Sequence, residues 1–135
     1  MTDDSSARTV RLVLDNSSIA AFTRGSIAVG ELIGEIDSEH GAVIVPLPCL
    51  IEVAAERVDG RELLDILIGH PATFLVSDDP SQWRELAGVR AILGRADLAS
   101  AAWIALDYEV LILTRHPEAY EKLGGGDMAL PFEED

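Results

Sequence analysis

The chain has 135 residues, of which 48% are apolar, and a formal charge of −14 at pH 7. That length and apolar content describe one domain with a core of its own and exclude a disordered body. An acid excess of this size argues against a groove for duplex DNA, which needs many phosphate-neutralising cations, and is compatible with a divalent-cation site or a basic protein partner.

Residues 1–9 read as a flexible start, and the domain is expected over 10–131. The run VRLVL over 10–14 is short and apolar, as in a buried strand. Asp15 follows it, and Asn16, Ser17 and Ser18 can cap a helix beginning near Ile19. Arg24, Gly25 and Ser26 break that helix. Ile27, Val29, Leu32, Ile33 and Ile36 then recur at helical spacing. His40-Gly41 stops the second helix, and 42–45 is a second buried strand ended by Pro46. Pro48 suits the first turn of a helix running to about Val58. A further helix covers 61–68, and 72–76 is a third strand. Ser77, Asp78, Asp79 and Pro80 introduce a helix over about 81–93. Gly94 interrupts it before an alanine-rich helix over 95–107. A fourth strand follows at 110–114, a short helix at 117–123 and a small edge strand at 128–131. Residues 132–135 are an acidic tail.

Strands alternate with helices, and the main strands are apolar on both faces. That pattern predicts a three-layer α/β/α domain around a mainly parallel sheet of four to five strands. No apolar run reaches the roughly 18 residues of a membrane span. The opening MTDDSSARTV carries acids where a secretory leader would carry bases, and lone Cys49 fits a reducing compartment, so a cytoplasmic location is expected. Cys49 lies in an apolar run and reads as a packing residue.

In open parallel sheets, functional groups gather beyond the carboxyl ends of the strands. Asp15 is at that end of the first strand. Glu52 lies about a turn into the helix after the second. Asp97 opens the helix leading to the fourth, which Arg115 and His116 follow directly. If the first, second and fourth strands are neighbours, these residues converge on one edge. Each also has a plainer reading: Asp15 as a helix cap, Glu52 as a solvated acid, Asp97 as a first-turn acid favoured by the helix dipole, and His116 as a loop residue. Capping and metal ligation are compatible roles for Asp15. Arg57, Arg61, Arg95 and Arg115 can meet an RNA backbone or pair with surplus acids, and pairing is expected for most. Trp103 and Tyr108 can stack on bases, but core packing is expected for Trp103. Glu56 is expected to face solvent.

The segments VLDNSSIAAF, VPLPCLIEVAAE and GRADLASAAWIALDYEVLILTRHPEAY, in this order and spacing, resemble the successive motifs of PIN domains. The nearest resemblance is to small bacterial VapC-type ribonucleases of toxin–antitoxin pairs, and it spans nearly the whole chain, about 10–130. It implies a Mg²⁺- or Mn²⁺-dependent endoribonuclease, a hydrolase of RNA phosphodiester bonds. The metal ligands implied are Asp15, Glu52 and Asp97, with an antitoxin partner and a homodimer. The family often adds a fourth acid after the fourth strand, where this chain has His116 after Thr114 and Arg115. Three carboxylates suffice for one such ion, which keeps several waters, whereas His116 is a poorer ligand for Mg²⁺ than for Mn²⁺. His116 can instead touch a substrate phosphate or carry a proton. Asn16, Ser17 and Thr114 can orient the carboxylates by hydrogen bonding. The departure at His116 keeps a second reading open, a catalytically weakened or inactive PIN-like module for binding or dimerisation. A phosphorelay receiver is disfavoured, since Lys122 falls inside a late helix.

Overall fold

The computed structural model describes residues 8–133. The expected flexible start and acidic tail therefore lie outside the described residues over 1–7 and 134–135. The described chain forms strands β1 (Thr9–Leu14), β2 (Gly41–Pro46), β3 (Thr73–Val76), β4 (Leu111–Thr114) and β5 (Ala129–Pro131). Its helices are α1 (Asn16–Thr23), α2 (Ile27–Ser38), α3 (Leu47–Glu56), α4 (Arg61–Ile68), α5 (Trp83–Leu93) and α6 (Ala96–Tyr108). The sheet has the order β3-β2-β1-β4-β5, and every neighbouring pair is parallel. Six helices flank it in a three-layer α/β/α arrangement. Each of the first three crossovers carries a helix pair, as parallel strands require a long connection.

The three central strands are apolar on both faces because both are covered. Val13 and Leu14 of β1, Val43 and Val45 of β2 and Ile112 of β4 are fully buried. Each such side chain contributes about 1.5–3 kcal/mol by leaving water. The alanine content of α6 has a related purpose: Ala99, Ala101, Ala102 and Ala105 are buried, so small side chains lie where the helix meets the core. Gly41 starts β2 where no side chain fits. A Cβ there would lie 2.8 Å from both Arg11 Cγ and Ile36 Cγ2.

Some boundaries differ from the sequence expectation for identifiable reasons. Helix α1 begins at Asn16 rather than near Ile19, because Asp15 is itself the cap and accepts from the Ser18 amide. The short helix expected over 117–123 is a 3₁₀ turn, Pro117–Tyr120, and Gly124, Gly125 and Gly126 follow with positive φ. Gly94 ends α5 in the left-handed region at φ 87°, which sets the sharp joint into α6.

From β1 the chain builds outward through β2 and β3, then returns to the other side of β1 to lay down β4 and β5. The direction of winding thus reverses between β1 and β4. In sheets of this kind the crevice outside the carboxyl ends at that reversal is where ligands bind. Among the described residues, no helix is long and apolar enough to cross a membrane.

Candidate metal centre at the sheet reversal

Asp15 follows the last residue of β1 directly and is 1% exposed. A carboxylate buried this deeply must be hydrogen-bonded to compensate for lost hydration. Its Oδ1 accepts from the Ser17 hydroxyl at 2.6 Å and from the Ser18 amide at 3.1 Å. Its Oδ2 accepts from the Tyr120 hydroxyl at 2.8 Å. The cap role and the buried-acid role thus coincide, and the carboxylate is held in one orientation by three donors from two distant parts of the chain.

Ser17 ties this group to the end of β4. While its hydroxyl donates to Asp15, its oxygen accepts from the Arg115 amide at 3.0 Å and lies 3.3 Å from Thr114 Oγ1. Thr114 is fully buried, and its Oγ1 accepts from the His116 amide at 3.0 Å. Ser17 and Thr114 thus form a chain of contacts behind Asp15, to which Arg115 and His116 contribute backbone amides. The His116 ring lies at the surface with Nδ1 3.4 Å from Glu118 Oε2. Asn16 contributes through its backbone, which faces the Cys49 thiol.

Asp97 sits in the first turn of α6, where the helix dipole favours a negative charge, and is 4% exposed. The Arg95 guanidinium grips both of its oxygens, Nε to Oδ1 at 3.0 Å and Nη2 to Oδ2 at 2.9 Å. The same Nη2 is 3.8 Å from Oε1 of Glu52, whose side chain is half-exposed on α3. Arg95 thus bridges two of the three sequence-predicted ligands. Its own protonated state is reinforced by the bonds to Asp97, then by the charges of Asp97, Glu52 and Glu56.

Cys49 lies among these groups, fully buried, and donates from Sγ to the Asp97 carbonyl at 3.3 Å. Burial raises its thiol pKa far above the ordinary range, and the fields of Asp15 and Asp97 add to the effect. Tyr120 is shifted the same way by burial, by the Asp15 charge and by its bond to Asp15. Both groups stay protonated at neutral pH, so each acts as a hydrogen-bond donor and neither as a nucleophile. The Cys49 thiol thus meets the Asp97 backbone, and the Tyr120 hydroxyl meets the Asp15 carboxylate.

Glu52, Arg95 and Asp97 line a cleft of about 410 Å³ with Arg90, Leu47, Pro48 and Ile51. Among the described residues, no group of three or more His, Cys, Asp and Glu side chains is arranged to hold a metal ion. The donor chemistry nonetheless suits a hard divalent cation. All donors are carboxylate oxygens, Asp15 Oδ2 accepts a single hydrogen bond, and each Asp97 oxygen accepts one, leaving lone pairs. The Arg95 guanidinium occupies one lone-pair position on each Asp97 oxygen.

One partner of a site carboxylate, Tyr120, and two polar or aromatic residues of the neighbouring surface, Asp78 and Trp83, lie outside the sequence-predicted set. Tyr120 stands 105 residues from its partner Asp15, and only the need of a buried tyrosine for a polar partner hints at it. Asp78, after β3, accepts from the Ser100 hydroxyl of α6 at 3.0 Å. Trp83, at the start of α5, is 58% exposed, whereas Trp103 packs against the core and donates to Gln82 Oε1 at 2.9 Å. No family model matches the chain, and no curated protein matches it significantly.

Proposed function

We propose that this protein is a Mg²⁺- or Mn²⁺-dependent endoribonuclease, as its resemblance to PIN-domain toxins implies. The observation that carries the reading is the pair of buried carboxylates, Asp15 and Asp97, at the sheet reversal, with Glu52 joined to Asp97 through Arg95. Asp15, Asp97 and Glu52 would hold the cation. When bound, the ion would supply positive charge to the phosphodiester transition state and make water more acidic.

The protein's own residues do the positioning. Ser17, Ser18 and Tyr120 fix both oxygens of Asp15, so this ligand is pre-oriented. Thr114 and the Arg115 amide fix Ser17 in turn. Without an ion, Arg95 neutralises Asp97 and Glu52, which would otherwise repel each other. An antitoxin partner, a homodimer and a cytoplasmic location belong to the same reading.

The test is cleavage of single-stranded RNA with Mg²⁺ and with Mn²⁺, with Asp15→Asn as control. The expected result is metal-dependent cleavage by the wild type that is lost in the variant. Cleavage that persists unchanged in Asp15→Asn would falsify this site.

Two observations favour the second reading, a PIN-like module without nuclease activity. Arg95 already satisfies Asp97 bidentately, and the His116 ring is turned to Glu118 at the surface. On that reading the arginine is a permanent structural counter-ion, and titration with Mn²⁺ gives no saturable heat.

A further inference from the structure

Beyond the carboxylates, a second groove of about 240 Å³ runs along α5 toward Trp83. It shares Pro48, Arg90 and Ala96 with the carboxylate cleft, so the two adjoin. Trp83, Ala87 and Arg90 line it from one stripe of α5, spaced four and three residues apart. From Trp83 to Gly94 that stripe spans about 16 Å at helical rise.

Two features of this groove are unusual for the molecule. Trp83 is 58% exposed although tryptophan is mostly interior, and the Arg84 guanidinium lies 4.4 Å from its ring centroid. Arg90 lines the groove, Arg84 covers the Trp83 ring and Arg95 lies in the adjoining carboxylate cleft, so three of the nine arginines fall within twelve residues in a chain of net charge −14. The acid that lines the groove, Asp78, is partly buried and accepts from Ser100, so its charge is partly compensated. An exposed aromatic ring with arginines beside it is the combination that holds single-stranded nucleic acid, the ring stacking on bases and the cations meeting phosphates.

We propose that Trp83 and Arg90 form a substrate track for single-stranded RNA, leading from a base-stacking position on Trp83 past Arg90 to the carboxylate cleft. This rests on the ribonuclease reading and extends it to the path of the strand. Trp83 stacks one base face, Arg84 stays against the ring, and Arg90 meets a phosphate where the two clefts join.

The test is titration of the full-length protein with a single-stranded RNA dodecamer in EDTA, followed by tryptophan fluorescence and by anisotropy of a labelled strand. Stacking is worth about 1–3 kcal/mol per base, so Trp83→Ala is expected to weaken binding about tenfold. Trp83→Phe, which keeps a π-face, is expected to retain much of the affinity while losing most of the fluorescence quenching. Arg90→Ala is expected to weaken binding and reduce the salt slope by about one. Equal RNA affinity in wild type and Trp83→Ala, or no RNA binding by the wild type, overturns the track. So does a Trp83→Ala variant that keeps its RNA affinity but changes oligomeric state, since Trp83 then belongs to a protein contact. Binding that depends on Trp83 without metal-dependent cleavage leaves the track standing and removes the nuclease reading.

Discussion

Arg95 holds Asp97 with two parallel hydrogen bonds of 3.0 and 2.9 Å, although the two residues are only two apart in the chain. The geometry is possible because Arg95 is not yet helical. It occupies the cap position of α6 in extended backbone, φ −140° and ψ 143°, so its side chain can fold back over the first turn. The joint at Gly94, left-handed at φ 87°, delivers it there. A buried acid and a half-exposed arginine thus make a fork-to-fork pair whose outer side faces the cleft.

Removing that guanidinium leaves a buried charge unpaired. Arg95→Gln is expected to destabilise the metal-free protein by about 1–3 kcal/mol, less than a fully buried pair because the arginine is half in water. Urea unfolding in EDTA measures it. Added Mn²⁺ should restore stability, and by more than it adds to the wild type. An unchanged midpoint in EDTA would show that the pair contributes nothing.

The bond from Tyr120 to Asp15 can be deleted with almost no loss of packing. Tyr120 is fully buried, so Tyr120→Phe removes the hydroxyl and leaves the ring. A hydrogen bond to an ionised group is worth about 1.5–3 kcal/mol, and a loss in that range is expected in chemical denaturation. Loss below about 0.5 kcal/mol would mean that Asp15 has found another donor.

Cys49 makes stability depend on alkaline pH. Its folded pKa is raised from the ordinary 9.0, so its contribution is fully present below about 9 and falls as pH rises past that value. The unfolded thiol ionises there while the folded one stays protonated. Denaturation in EDTA between pH 8 and 10.5 should show a decline that is shallower in Cys49→Ala by about 1.4 kcal/mol per pH unit at the upper end. Parallel curves for the two proteins would contradict the buried, protonated thiol.

His116 takes part through its amide while its ring pairs with Glu118, both side chains being exposed. His116→Ala is expected to change Mn²⁺ affinity by no more than about twofold, because exposed pairs carry little energy. A large loss in calorimetry would make the ring a ligand.

The fold is legible in the sequence, and so are the places of Asp15 and Asp97 at the ends of their elements. Short strands apolar on both faces, separated by helix pairs, permit little besides a covered parallel sheet. Asp15 and Asp97 stand out because each follows or opens an element whose end is marked by local pattern. The order that makes β1 and β4 neighbours is a tertiary fact. So are the contact of Tyr120 with a residue 105 positions away and the surface place of Trp83, since a tryptophan opening an amphipathic helix reads equally as core. The grip of Arg95 was hidden for another reason. Pairing of surplus acids was foreseeable, but which acid Arg95 meets depends on the extended backbone at its position and on the glycine before it.

Calorimetric titration with Mn²⁺ decides whether Asp15, Asp97 and Glu52 hold a divalent cation in exchange for Arg95, as proposed. The wild type should give a saturable isotherm that disappears in Asp97→Ala and tightens about tenfold in Arg95→Gln. No saturable binding by either the wild type or Arg95→Gln, or undiminished binding by Asp97→Ala, would contradict it.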